Sequence, residues 1–319
     1  MNDTITNATP DRDALYRDIT QTIIRSIEEG AVCGDYKMPW NRTPLTHRST
    51  EGRAYRGLNV LLLSIAALSR GWVIPAWGTL KAWNAVGGKV RKGERGTRVV
   101  LWKATKGTPP WEEQEGDAGD TGKTPRTRLY ARAFTVFNVE QIDDVDPGDY
   151  IQQPRPLADL LAPDIKTMEA ATSIGCRVEF GGERAYYMPV FDRIQMPDRW
   201  RFSDQRAITS VLAHEAVHAT GHKDRLAREF GRKFGDRAYA VEELVAELGA
   251  AMFLGNWGYQ PSERIDHAHY IASWLHVLRE QPRAILTVAS QAQRAADFLF
   301  EAATRRDKQA EKSQTEAVQ

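Results

Sequence analysis

Apolar residues first recur at four-residue spacing. Leu15, Ile19, Ile23 and Ile27 fall on one face of a helix predicted over residues 11–30, with Gly30 as its stop. A second helix is predicted over residues 57–70, where "LNVLLLSIAALSR" is apolar on most sides. The pattern then changes to short apolar runs punctuated by glycine. "GGKVRKGERGTRVVLWK" and "RLYARAFTVFNV" read as strands joined by Gly-rich turns. Between them residues 107–127, "GTPPWEEQEGDAGDTGKTPRT", lose all periodicity and carry the composition of a disordered acidic loop.

Residues 143–156, "DDVDPGDYIQQPRP", have linker composition and mark a boundary between two domains. The first is expected over residues 1–145, the linker over 146–156, and the second over 157–305 ahead of a polar tail at 306–319. The second half predicts a helix over about 157–174 and a strand pair around "RVEFGG" and "AYYMPVFDRIQMP". Four helices follow, the last starting near Pro282. No internal repeat is visible. The fold class is α+β in two domains, as expected for a chain of 319 residues.

Composition narrows the classes. No apolar run reaches the roughly twenty residues that span a bilayer, and the polar start "MNDTITNATPDRD" lacks the apolar core of a signal peptide. Cys33 and Cys176 are a distant pair, so neither a disulfide framework nor a cysteine metal site is indicated. A cytoplasmic location without membrane attachment is the expectation.

The chemistry gathers in "SVLAHEAVHATGHKD", which holds three of the chain's seven histidines. His214 and His218 are four apart and share a helix face one turn apart, so both can grip one ion. Glu215 follows the first ligand, where a carboxylate can accept a proton as general base. This is the H-E-x-x-H pattern of zinc metallopeptidases. Ser203 with Arg206 is the expected start of the helix, and Gly221 its end.

A catalytic zinc site wants a third protein ligand, and two residues compete. Asp224 would complete H-E-x-x-H-x-x-G-x-x-D, with Gly221 turning the chain back toward the metal. The alternative is "YAVEELVAELGAAMFLG", a helix apolar on nearly every side except Glu242, Glu243 and Glu247. A buried carboxylate needs a partner or a metal. Glu243 and Glu247 stand one turn apart, so one can ligate while the other orients a ligating histidine. That makes Glu243 the stronger candidate. Glu242 is assigned to a solvated edge. Tyr239, His222 and Arg225 are candidates to stabilise an oxyanion.

A second signal lies in the first half. Net charge is +1 for the whole chain, yet residues 37–106 hold fourteen Lys and Arg against two acids, Glu51 and Glu94. The same window holds five of the nine tryptophans, Trp40, Trp72, Trp77, Trp83 and Trp102. Cations neutralise phosphates and aromatic faces stack on unpaired bases, a combination suited to single-stranded nucleic acid. Arg53, Arg56, Lys89, Arg91 and Lys92 are the expected phosphate contacts. Tyr55 or Trp77 is expected to stack, whereas Trp72 and Trp102 read as core.

Both halves together resemble the ArdC antirestriction proteins of conjugative plasmids, a family related to the N-terminal part of TraC plasmid primases. The likeness rests on "GRAYRGLNVLLL", "AWGTLKAWNAVGGKVRKGERGTRVVLW" and "FTVFNVEQ" in the first half. In the second it rests on "AYYMPVFDRIQMP", "LAHEAVHATGH" and "YAVEELVAELGAAMFLG". It implies a single-stranded-DNA-binding domain fused to a zincin-like metallopeptidase domain. It also implies that His214, His218 and Glu243 bind zinc or another divalent metal, with Glu215 as base. Residues 107–127 look like an insertion, and Asp224 matches no position of the family pattern. The zincin comparison further implies that "FDRIQMP" forms an edge strand able to pair with an extended peptide. Two functions are therefore expected to compete. One is an antirestriction protein that binds single-stranded DNA during conjugative transfer and carries a peptidase site. The other is a DNA-independent metallopeptidase, acting on a protein substrate, whose basic half binds a protein partner.

Overall fold

The computed structural model describes residues 12–32, 46–105, 128–151, 162–230, 237–260 and 267–317. The predicted acidic loop at 107–127 and the last part of the linker, residues 152–156, lie outside the described residues, as does Trp40. In chain order the elements are α1 (Arg12–Val32), β1 (Arg48–Ser49), α2 (Leu58–Arg70), β2 (Ala76–Gly78), α3 (Leu80–Ala85), β3 (Lys89–Val90), β4 (Thr97–Thr105), β5 (Arg128–Asn138) and β6 (Ile142–Asp143). The second half has α4 (Ala162–Ser173), β7 (Arg177–Phe180), β8 (Tyr186–Met188), β9 (Arg193–Met196), α5 (Gln205–Thr220), α6 (Arg237–Gly255), α7 (His267–Glu280) and α8 (Ala284–Ala317). No helix among the described residues is long and apolar enough to cross a membrane.

The first half is a four-stranded sheet in the order β1-β2-β5-β4. Its spine is the antiparallel β4–β5 ladder, from Thr97 opposite Val136 to Thr105 opposite Arg128. Helix α2 is tied to β4 by Asn59, whose amide accepts from Val100 N–H at 2.7 Å and donates to Val100 C=O at 2.8 Å. The side chain thus serves a backbone position of β4 as a neighbouring strand would. Strands β3 and β6 form a separate antiparallel pair. The short helix α3 was not foreseen. Thr79 caps it by accepting from Ala82 N–H.

The second half is helical, with a three-stranded sheet in the order β7-β9-β8. This corrects the edge-strand expectation, because "FDRIQMP" contains β9, the central strand. The strand antiparallel to it at the free edge is β8.

One apolar cluster joins the halves. Ile19, Ile23 and Ile27 of α1 and Leu61 of α2 pack in the same buried core as Val217, Leu248, Trp274 and Leu299. The four-residue apolar spacing of α1 therefore finds its partner near the other end of the chain, where Thr20 Oγ1 donates to Pro282 C=O at 2.6 Å. Arg279 of α7 also pairs with Glu28 of α1.

A candidate metal centre built by two buried helices

Helix α5 starts at Asp204 rather than Ser203. The Asp204 carboxylate accepts from Ala207 N–H at 2.8 Å, and an anion there also complements the helix dipole. Its buried hydroxyls cause no break in the helix. Thr209 and Ser210 each donate to the carbonyl four residues earlier. The helix ends at Gly221, whose φ of −75° is open to any residue. The glycine is needed for room instead: a Cβ there would lie 2.7 Å from the Phe230 ring and 3.0 Å from Arg228 Nη2.

Helix α6 lies against α5, and at Gly249 it makes room for Val217. A Cβ at Gly249 would meet the two Val217 methyls at 2.9 and 3.1 Å. Val217 immediately precedes His218, so this close approach sets how far the acids of α6 stand from the imidazoles of α5.

Three ligand residues converge. His214 Nε2 and His218 Nε2 are 3.0 Å apart. Glu243 Oε2 is 3.5 Å from the first and Oε1 is 3.6 Å from the second. Atoms bound at 2.0–2.1 Å to one tetrahedral ion lie about 3.3 Å apart, so the triangle already has the right size. Among the described residues this is the group of three that could hold a metal ion.

The backs of both imidazoles face carboxylates. Glu247 Oε1 lies 3.0 Å from His214 Nδ1, and Glu242 Oε1 lies 3.1 Å from His218 Nδ1. An ionised carboxylate only accepts, so the ring proton belongs on Nδ1 and the Nε2 lone pair faces inward. Two lone pairs and a third carboxylate pointing at one spot form a cluster of acceptors, which a cation completes. Burial raises the Glu243 pKa. Against that, a hydrogen bond from Tyr239 stabilises the ionised carboxylate.

Glu242 is the correction on this helix. It is 4% exposed, not solvated, and besides His218 it binds the guanidinium of Arg228. Burial pushes its pKa up, but the hydrogen bonds from Arg228 and His218 and the charge of Arg228 bring it below the usual carboxylate range. Sequence reasoning left Glu242 at an edge because every side of this helix is covered, so periodicity carries no sign of which acids face the metal. Arg228 had no sequence signal at all.

Glu215 is buried on α5 beside the first ligand. Asp224 stands apart. It is 74% exposed, its carboxylate is 3.5 Å from His222 Nδ1, and it is not one of the converging groups. Arg225 is already engaged. It pairs with Asp192, and its remaining donors go to Ala219 C=O, Ile174 C=O and Tyr187 Oη. It locks the 189–192 turn to the end of α5 and is not held ready for an oxyanion.

The basic half is more neutral in space than in sequence. Acids from outside the 37–106 window reach in. Asp144 pairs with Lys89 at 2.9 Å, Asp143 lies 3.8 Å from Arg91, Asp18 pairs with Arg98 at 3.2 Å, and Asp297 of α8 pairs with Arg56. Arg53 is 82% exposed beside Glu51, and Lys92 is exposed. Tyr55 is half-buried between two apolar clusters, and burial raises its pKa to about 12. Trp77 is a correction: with 0% exposure it offers no face to a base. Trp83 is equally buried, and Trp72 packs edge-on against Trp77 with Arg70 over its ring. The side chain of Trp102 lies outside the described residues.

Comparison with known proteins gives these two sites a common setting. Residues 13–137 match the family described as the N-terminal domain of anti-restriction factor ArdC, and residues 166–291 match zincin-like metallopeptidase. The crystal structure of the antirestriction ArdC protein from plasmid R388, in its metal-free form, superposes with a TM-score of 0.72 at 35% identity, covering 91% of this chain and 98% of that one. The chain belongs to the ArdC antirestriction family. The Mn(II)-bound structure of the R388 ArdC protein superposes with a TM-score of 0.69. The chain is also 41% identical over 295 residues to protein y4eC of Sinorhizobium fredii (strain NBRC 101917 / NGR234), covering 91% of that protein. It is 33% identical over 303 residues to the DNA primase TraC of Escherichia coli, but spans only 27% of the primase. The ArdC-type chain thus joins its N-terminal domain to a zincin-like domain in the order expected from sequence.

Proposed function

We propose that this ArdC-family protein binds single-stranded DNA during conjugative plasmid transfer, counters restriction of that DNA, and carries a divalent-metal peptidase centre. The observation that carries the metal reading is the converging set of His214, His218 and Glu243, with each imidazole backed by its own carboxylate. Zinc suits two imidazoles and one carboxylate with a fourth position open. The Mn(II)-bound ArdC relative supports a divalent ion of either kind. When bound, such an ion supplies Lewis acidity and an acidified water. Glu215 would be the proton acceptor there, and Tyr239, hydrogen-bonded to Glu243, would hold the third ligand in place. The free edge of β8 offers backbone groups to an extended peptide.

DNA contact falls to Arg53, Arg56, Lys89, Arg91 and Lys92, with Tyr55 as the aromatic candidate. The pairing of four of these cations with acids weakens their hold on the phosphate chain, and the burial of Trp77 removes a stacking face, so binding is expected to be weak and salt-sensitive. The same pairing supports a second reading, in which the basic half binds a protein and the peptidase acts without DNA.

Conjugation of an unmodified plasmid into restricting and non-restricting recipients separates the readings. The Arg53/Arg56/Lys92 triple alanine variant is expected to lose protection, and Glu215→Gln largely to keep it. The reverse result would make hydrolysis the primary activity.

A further inference from the structure

The loop that follows α5, residues 221–230, returns over the end of that helix and delivers one buried guanidinium to the back of the metal centre. Arg228 Nε donates to Glu242 Oε2 at 2.9 Å and Nη2 donates to Glu242 Oε1 at 2.8 Å, a two-pronged grip. Its other contacts are to α5 itself, with Nη1 donating to Thr220 Oγ1 and Nη2 to Val217 C=O, both at 2.7 Å. The side chains of Arg228 and Glu242 are 4% and 5% exposed. Glu242 Oε1 in turn faces His218 Nδ1 at 3.1 Å.

The geometry points to Arg228 as a positioning residue for the metal centre: with Glu242 it forms a brace that fixes the ring orientation and tautomer of His218, and so sets the affinity for the divalent ion. With both carboxylate oxygens engaged by one planar fork, Glu242 cannot rotate, and its acceptor stays aimed at Nδ1. The brace also spans α5 and α6, since Arg228 is anchored on the Val217 carbonyl and the Thr220 hydroxyl of α5 and Glu242 belongs to α6. Gly221 is part of the same device, because a methyl there would lie 3.0 Å from Arg228 Nη2. The glycine of the extended H-E-x-x-H-x-x-G pattern admits the brace here and does not turn an aspartate toward the metal.

The inference rests on the metal reading of this site, and the test keeps the two apart. Zn2+ and Mn2+ binding is measured by calorimetry on the full chain for wild type, Arg228→Met, Glu242→Gln and the double variant. Tautomers of the metal-free histidine rings are read by 15N NMR, and thermal midpoints are recorded alongside. Absence of metal in wild type defeats the metal reading itself. If wild type binds, Arg228→Met is expected to weaken binding by 10–100-fold, as loss of such outer partners does elsewhere. Glu242→Gln should lose at least about tenfold, because the amide NH2 is a donor where the Arg228 fork needs two acceptors. The double variant should lose no more than the worse single one, since both act through His218. The His218 ring should carry its proton on Nδ1 in wild type and become a tautomer mixture in the variants. If Arg228→Met does not fold, the isosteric Glu242→Gln carries the test. Affinity within twofold of wild type in either folded variant, or losses that add in the double variant, overturns the inference.

Discussion

Trp77 donates its indole N–H to His47 Nδ1 across 3.0 Å, and both rings are sealed under the N-terminal sheet. The other ring nitrogen, Nε2, then carries the proton and donates to Ser64 Oγ at 2.8 Å. An imidazolium has no acceptor for Trp77, and burial lowers the His47 pKa from 6.5 to about 3. As pH falls below 6.5, protons therefore bind the unfolded chain first. Stability should be level above about pH 6.5 and decline toward pH 3, by several kcal/mol at the low end. Urea titrations across that range test this, with His47→Gln expected to give a flatter profile. A His47 ring that titrates near 6.5 in the folded protein would refute it.

The burial of Trp77 separates stability from DNA affinity. Trp77→Phe should destabilise the protein by about 1–3 kcal/mol, through the lost His47 hydrogen bond and lost volume. It should leave binding to a labelled single-stranded oligonucleotide within twofold. Lys92→Ala, on an exposed cation, should weaken binding at low salt and reduce the slope of log affinity against log salt by about one. Arg53→Ala should cost less, because Glu51 lies 2.7 Å from that guanidinium. Arg98→Ala should change little, because Asp18 already neutralises that cation. Salt-independent binding would leave the basic face without this role.

At the metal centre, His214→Ala and His218→Ala should abolish stoichiometric divalent metal, and Glu243→Ala should weaken it strongly. Asp224→Ala should bind normally, its side chain being exposed and turned to His222. Metal analysis of dialysed protein decides. Loss in the Asp224 variant with retention in the Glu243 variant would reverse the ligand assignment. Glu215→Gln should keep the metal and lose any peptide hydrolysis, because only the proton acceptor is gone.

The contact between Gly249 and Val217 predicts an effect on metal from a residue that ligates nothing. Gly249→Ala places a methyl 2.9 Å from Val217 Cγ1, so α5 and α6 must separate. We expect destabilisation of about 1–3 kcal/mol together with weaker metal binding. Unchanged affinity and thermal midpoint would show that the helices accommodate the methyl.

The sequence made some parts of this molecule legible and concealed others, for physical reasons. Spacing of four placed His214 and His218 on one face, and the cost of burying acids singled out α6. The same apolar helix left Glu242 misassigned, because a helix covered on all sides has no polar face to mark direction. Charge counting failed in a related way. A window sums residues adjacent in the chain, whereas Asp18, Asp144 and Asp297 neutralise it through space. Strand order was invisible too: "RIQM" reads alike at an edge or a centre, and only pairing on both sides made it central.

The hydrogen bond from Thr20 to Pro282 spans 262 positions of the chain. The isoleucine face of α1 is made well before its seat on α7, which lies far along the chain. Until then Ile19, Ile23 and Ile27 have only α2 of their native cover, and closing so long a loop costs entropy before the remaining contacts reward it. Chain assembly should therefore finish with a late, all-or-none docking step that completes both halves together. Pulse-labelled hydrogen exchange would show α1 and α7 gaining protection at the same time. An excised first half would carry an uncovered apolar helix, and its tendency to self-associate would obscure any binding measured on it.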